Sequence, residues 1–214
     1  MTYKQAILLM AREGLDALAQ SALARKQPTP AQESHFLCNW MADALKKKTY
    51  PKFLAADLTA WVRDGRSLGA GAQLKQLLQR IVYQYGQLEG DNVALGLALR
   101  GWLEQLSADE VLVITDTPVT AKLKLDNDGL PSVIISAPEF AQSLAGDELV
   151  KPLTLHIRAD EPMLAETALS SGLLLSQGDK KASLIKHHKA YRLYPGNELP
   201  SLALLIPAQV MPSC

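Results

Sequence analysis

The hydrophobic period of the sequence changes near Ser107. Before that point apolar residues recur at helical spacing, most clearly in Leu74, Leu77, Leu78, Ile81, Val82 and Tyr85, which follow i, i+3, i+4, i+7, i+8 and i+11. Such a stripe must be covered by another apolar surface, so it predicts a helix packed among neighbours. A first helix, near residues 2–24, carries Ile7, Leu8, Ala11, Leu15, Leu18, Ala22 and Leu23 on one face and accommodates Gly14. The second carries its own start signal. Thr29 is placed to cap free backbone N–H groups, Pro30 fits the first helical position, and Gln32 completes a T-x-x-Q capping box. Its inner face is Leu37, Trp40, Met41, Ala44 and Leu45. A third helix from about Pro51 carries Leu54, Leu58, Trp61 and Val62, with Gly65 as its left-handed C-cap. The Leu74 window is the fourth, and a fifth runs from the cap candidates Asp91 and Asn92 through Leu95, Leu99, Trp102 and Leu106.

Beyond Ser107 the segments are short. Val111 to Thr115 is a continuous apolar run, and Ala121, Leu123 and Leu125 alternate with Lys122 and Lys124, which is the spacing of a strand. Asp126-Asn127-Asp128-Gly129 then supplies residues that tolerate positive φ, so a hairpin to Ser132–Ile135 is expected. Further strands are expected at Leu153–Arg158, Leu173–Ser176, Lys189–Tyr194 and Leu202–Ile206, with short helices near Glu139–Leu144 and Pro162–Ser170. The fold class is therefore α+β: an N-terminal bundle of about five helices (1–107) packed on a smaller C-terminal mixed or antiparallel sheet with short helices (108–214). No low-complexity linker separates the halves, so one shared core is an open alternative.

Composition narrows the function classes. With 22 Lys and Arg against 22 Asp and Glu, the chain lacks the excess positive charge of a dedicated nucleic-acid binder, and 48% hydrophobic residues set it apart from disordered sequences. Residues 6–11 form only a short apolar run before Arg12 and Glu13, so no signal-peptide core is expected, and no stretch is long enough to span a bilayer. The two cysteines, Cys38 and Cys214, give no disulfide framework. A cytoplasmic protein with no membrane partner is the expectation.

Candidate chemistry is sparse. Lys46, Lys47 and Lys48, then Lys52, Arg63 and Arg66, form the densest basic cluster and would suit an anionic macromolecule, either a protein or a nucleic acid. Cations in the last turn of a helix are also favoured simply by its dipole. A second basic stretch holds Lys180, Lys181, Lys186, His187, His188, Lys189 and Arg192, and its adjacent histidines would point to opposite faces of a strand. His35 and Cys38, three apart on a helix, have no second ligand pair at zinc spacing, so a buried thiol beside a hydrogen-bonded histidine is preferred and no metal is expected. Ser34 next to His35 lacks a nucleophile elbow, and Asp116, after the first apolar strand, is the better lone carboxylate. Gly69-Ala70-Gly71 follows a helix rather than a strand and reads as a break between helices, so no cofactor is expected. A calcium loop at Asp126 would need Glu where Ala137 stands.

The segment Ser34-His35-Phe36-Leu37 to Trp40, the helix end Ala44-Leu45-Lys46 and the run Arg66-Ser67-Leu68-Gly69 resemble the helical portion of the bacterial domain of unknown function 2913 family. The resemblance covers mainly the N-terminal half. It implies a cytoplasmic bacterial protein, chiefly of gammaproteobacteria, and brings no activity or site residue with it. The leading expectation is a non-catalytic interaction module using the basic surface Lys46, Lys47, Lys48, Lys52, Arg63 and Arg66. The alternative is a small-molecule enzyme with a cleft between the halves, using Asp116 and His156 for acid–base work. A homo-oligomer assembled through the Trp40 or Trp61 helices is the third reading.

Overall fold

A computed structural model describes residues 1–90, 94–124 and 129–210. Its architecture is α+β, with seven α-helices and six strands among the described residues. The chain divides into two compact units, one made of Met1–Glu89 with residues 207–210, the other of Gly90–Ile206.

The first unit is helical: α1 (Tyr3–Gln20), α2 (Pro30–Lys47), α3 (Ala55–Leu68) and α4 (Leu74–Gly86). Helix α2 starts as its sequence dictates, since the Thr29 hydroxyl accepts from the Gln32 amide while the Gln32 side chain accepts from the Thr29 amide. Helix α1 opens with the same box on Thr2 and Gln5. Helix α1 packs on α4, and α2 packs on both α3 and α4. Ile7, Met10, Leu37, Met41, Leu58, Leu78 and Ile81 fill the space between them and are almost wholly buried. Each contributes roughly 1.5–3 kcal/mol by leaving water.

The end of α3 corrects one expectation. Gly65 does not cap the helix, which runs on to Leu68 and is closed by Gly69 at φ 55°. Gly65 instead marks a close approach, because a Cβ there would lie 3.0 Å from both Cβ and Sγ of Cys38 on α2. Residues Gly69–Ala72 then form a 3-10 turn leading into α4, as a helix break should.

The second unit begins with α5 (Leu95–Ala108); the cap candidates Asp91 and Asn92 lie outside the described residues. The strands β1 (Leu112–Ile114), β2 (Ser132–Ile134), β5 (Leu153–Arg158) and β6 (Lys189–Leu193) form a sheet in the order β1-β2-β5-β6. The sheet is mixed: β1 and β2 are parallel, while β2–β5 and β5–β6 are antiparallel. A small hairpin, β3 (Leu144–Ala145) with β4 (Glu148–Leu149), was not anticipated. Helix α6 (Ala137–Ser143) precedes it, and α7 (Glu161–Ser170) follows β5, capped by Asp160. Buried Trp102 of α5 donates its indole N–H to Thr167 of α7 at 3.1 Å.

The expected hairpin from Thr120–Leu125 to Ser132–Ile135 is absent; its turn residues 126–128 and Leu125 lie outside the described residues. Strand β2 has both edges taken, by β1 and β5, so the 120s segment cannot pair with it. Leu123 makes a single parallel bridge to Ile185. Leu173–Ser176 and Leu202–Ile206 likewise form no regular strands; they meet at the Ser176–Ala203 bridge, where the Leu204 amide donates to the Leu175 carbonyl at 2.8 Å. Leu173, Leu174 and Leu175 are buried all the same. Asn197 serves the start of the run, accepting from the Leu174 amide and donating to the Gly172 carbonyl, both at 2.9 Å.

Candidate functional site

In the first unit the six predicted cations are all exposed. Four of them come together on one face of the α2–α3 pair. Lys48 and Lys52 border a groove of about 430 Å³ whose walls include Ala44, Leu45, Pro51 and Leu58. Arg63 and Arg66 border an adjoining, shallower depression that shares Leu45 and includes Val62. Lys48 reaches its groove because it ends α2 in the left-handed region, at φ 54°, and turns the chain toward Pro51. Lys47 stands two residues from Leu45, about 200° round the helix, and so points away from this face. Lys46, about 100° from Leu45, points to solvent and borders neither depression. Only Arg63 has an ion-pair partner among the described residues, the neighbouring Asp64 at 3.4 Å. That pair is exposed and contributes little.

Other sequence candidates are separated. Asp116 is exposed and accepts a hydrogen bond from the Thr117 hydroxyl, whereas His156 is buried in the central strand β5 with Ser183 Oγ 3.1 Å from its Nδ1. Each is thus bonded to a different partner, and no hydrogen bond or ion pair links the two. His35 is exposed and bonded to Asn39, while Cys38 is a buried free thiol donating to the Val62 carbonyl. Ser34 donates to the Gly69 carbonyl at 2.7 Å, which occupies its hydroxyl in a helix-to-turn contact. Trp61 is buried in its own unit, and the ring of half-buried Trp40 lies against Tyr50.

The second unit holds a cleft of about 760 Å³ that the sequence only half disclosed. Lys180, Lys186, His187 and His188 of the second basic stretch line it, joined by Lys122, Lys124 and Arg158 from two other parts of the chain. Two features bring them together. The Leu123 amide donates to the Leu184 carbonyl at 2.9 Å and the Lys186 amide donates to the Leu123 carbonyl at 2.8 Å, which fixes the 122–124 strip beside 184–186. Beneath it, Val119, Ile134 and Ile185 form a small apolar cluster against the sheet. The turn Ile185–His188 is closed by the His188 amide on the Ile185 carbonyl and places His187 at φ 68°. Such a conformation in a non-glycine residue costs about 1–2 kcal/mol.

Two buried histidine–serine contacts tie this segment to the sheet: His188 Nε2 to Ser132 Oγ of β2 at 2.8 Å, and Ser183 Oγ to His156 Nδ1 of β5 at 3.1 Å. Burial is the main influence on both imidazoles and holds them below the usual histidine range, with the nearby Arg158 charge acting in the same direction on His188. Lys189 and Arg192, from the same basic stretch, lie elsewhere on β6. Lys189 donates to Glu161 at 2.7 Å, as does the Tyr191 hydroxyl at 2.8 Å.

Among the described residues no group of three His, Cys, Asp or Glu is placed to hold a metal ion, and no helix is long and apolar enough to cross a membrane. With this geometry in view, the match to a family is informative. The model of the protein family of unknown function DUF2913 matches residues 2–206. The chain belongs to this family. The match extends through the sheet-bearing unit as well as the helices, so DUF2913 describes nearly the whole chain rather than the N-terminal half on which the sequence resemblance mainly rested. No curated protein and no solved structure matches the chain. Membership of DUF2913 brings a shared sequence pattern and no assigned activity.

Proposed function

We propose that this DUF2913 protein is a non-catalytic interaction module of the bacterial cytoplasm whose α2–α3 face takes an acidic, partly apolar segment of another protein. One observation carries the reading: two adjoining depressions with apolar walls share Leu45, and Lys48, Lys52, Arg63 and Arg66 stand at their rims. Apolar walls supply contact area, and rim cations select negative charge and speed encounter. Charge balance favours a protein partner over nucleic acid. Residues 1–89 carry 12 Lys and Arg against 7 Asp and Glu, a net of +5, and the whole chain is neutral, which is well short of the basic footprint of a nucleic-acid domain. The bacterial and cytoplasmic parts of the reading rest on the family resemblance.

The test uses the intact protein with two probes, a Glu- and Leu-rich amphipathic peptide and a single-stranded oligonucleotide. Fluorescence anisotropy should give salt-sensitive peptide binding that weakens at least about tenfold in a Lys48→Glu/Lys52→Glu/Arg63→Glu/Arg66→Glu variant with an unchanged circular dichroism spectrum. Equal peptide binding by the variant, or preference for the oligonucleotide, overturns the proposal.

A further inference from the structure

The cleft of the second unit shares no residue with the α2–α3 face and has a different character. Residues 90–206 are acidic overall, yet the cations of this unit are sharply segregated. Five of its ten Lys and Arg line the cleft, while none of its twelve described Asp and Glu does. Carboxylates for pairing are plentiful nearby, and elsewhere in the unit they are used: Arg100 pairs with Asp147 and Lys189 with Glu161. Lys122, Lys124, Arg158, Lys180 and Lys186 make no ion pair among the described residues. Cations converging on one concavity with no carboxylate among its described lining residues repel one another and focus a positive potential there.

The frame that holds them is built. The two backbone hydrogen bonds of Leu123 fix one wall, and the contacts His188–Ser132 and His156–Ser183 fix the segment opposite to the sheet. Fixed walls lower the ordering cost of taking up a ligand. Arg158 adds a planar fork suited to two oxygens of a phosphate, and the lysines add point charges that tolerate several ligand geometries. Leu123, Leu184 and Ile185 supply apolar wall, and the volume of about 760 Å³ lies within the range of small-molecule sites.

We propose that this cleft binds a small anion carrying two or more linked phosphate groups. A single carboxylate or monoanion would leave most of the charge unanswered, whereas a di- or triphosphate answers several cations at once. That chemistry has two sources, a free inorganic pyrophosphate or polyphosphate and the phosphate tail of a nucleotide. The proposal does not depend on the α2–α3 reading, because it rests on different residues in the other unit.

Isothermal titration calorimetry on the full chain at low salt, with pyrophosphate, ADP and acetate as probes, tests it. Pyrophosphate should bind at least about tenfold more tightly than acetate and should weaken steeply with salt. Both Arg158→Gln and the exposed pair Lys122→Ala/Lys124→Ala should weaken it about tenfold or more, whereas Lys48→Ala/Lys52→Ala should leave it unchanged. ADP binding tighter than pyrophosphate assigns the nucleotide source, and equal binding assigns the phosphates alone; either supports the site. Absence of pyrophosphate and ADP binding at millimolar concentration overturns it. So does unaltered binding in both cleft variants, whose folding is checked by their melting curves.

Discussion

Ser132 Oγ lies 2.8 Å from Nε2 of His188, and both side chains are buried. The other ring nitrogen, Nδ1, is 3.0 Å from the Lys186 carbonyl oxygen, which can only accept. The proton of the neutral ring is therefore on Nδ1, and Nε2 receives the serine hydroxyl. Burial, and with it the neighbouring Arg158 charge, disfavours the imidazolium. The surroundings thus favour the neutral ring, whose Nε2 takes the serine proton.

Stability should follow this selection. Burial lowers the pKa of both His156 and His188 below the ordinary value of 6.5, so the unfolded chain binds protons more readily than the folded one. The contribution is full above about pH 6.5 and is lost progressively as pH falls from there toward the lowered folded values. Urea midpoints measured between pH 7.5 and 5 should decline, and the decline should be shallower in His188→Gln. An identical slope in the variant would remove His188 from the account.

Ser132→Ala should leave the buried Nε2 acceptor of His188 unanswered. The expected loss is about 1–3 kcal/mol in urea denaturation at neutral pH. A loss no larger than that of an exposed serine, such as Ser67→Ala, would contradict the contact.

Gly65→Ala should destabilise the helical unit by about 1–3 kcal/mol, despite the better helix propensity of alanine. The added methyl would meet Cys38 at 3.0 Å and Leu74 Cδ1 at 3.1 Å, within the contact between α2 and α3 and the start of α4. Thermal denaturation gives the sign directly, and a rise in Tm would contradict the close approach.

Gly96→Ala should be more damaging than Arg100→Ala, although both touch the β3–β4 turn. A Cβ at Gly96 would lie 2.7 Å from the Asp147 carbonyl oxygen, which also accepts from the Leu97 amide at 3.0 Å, so backbone would have to move. Arg100 only reaches Asp147 and Gly146 from the surface, and loss of such an exposed contact costs at most about 1 kcal/mol. Parallel melting curves give the order, and equal losses would reverse this reading.

What was legible in the sequence was local. The Thr29-Pro30-Gln32 start of α2 and the Leu74–Tyr85 stripe each carry their signal within a few residues, and both fold as expected. Leu153–Arg158 and Lys189–Tyr194 were readable as strands for the same reason, the second ending at Leu193 in the structure. The 120s segment misled because alternation describes a pattern without saying whether an edge is free to pair. Leu123 is 44% exposed, so its alternation does not mark a buried face. The Leu173–Ser176 run misled in the opposite way: it is buried, but it is held by the Asn197 side chain and an isolated bridge rather than by a ladder.

The candidate sites divide similarly. Lys46, Lys47, Lys48, Lys52, Arg63 and Arg66 stand out as a cluster because they lie close in sequence, and four of them border the two depressions of the α2–α3 face. The cleft was half found, through Lys180, Lys186, His187 and His188. Lys122, Lys124 and Arg158 join it through pairings that span tens of residues, and single-sequence periodicity carries no trace of those. The alternating Lys122 and Lys124 were visible only as strand pattern; their charge was the useful part of the signal.

His187 gives the lip of that cleft an unusual mechanical standing. A glycine would rest there at ease; histidine is bent against its own preference, and the hydrogen bond that closes the turn is backed by the Ser132 and Leu123 clasps on either side. The curvature is therefore on loan from its neighbours. Releasing either clasp would leave that strained turn with less to hold it against the sheet, and the lysine beside it less fixed toward its neighbours.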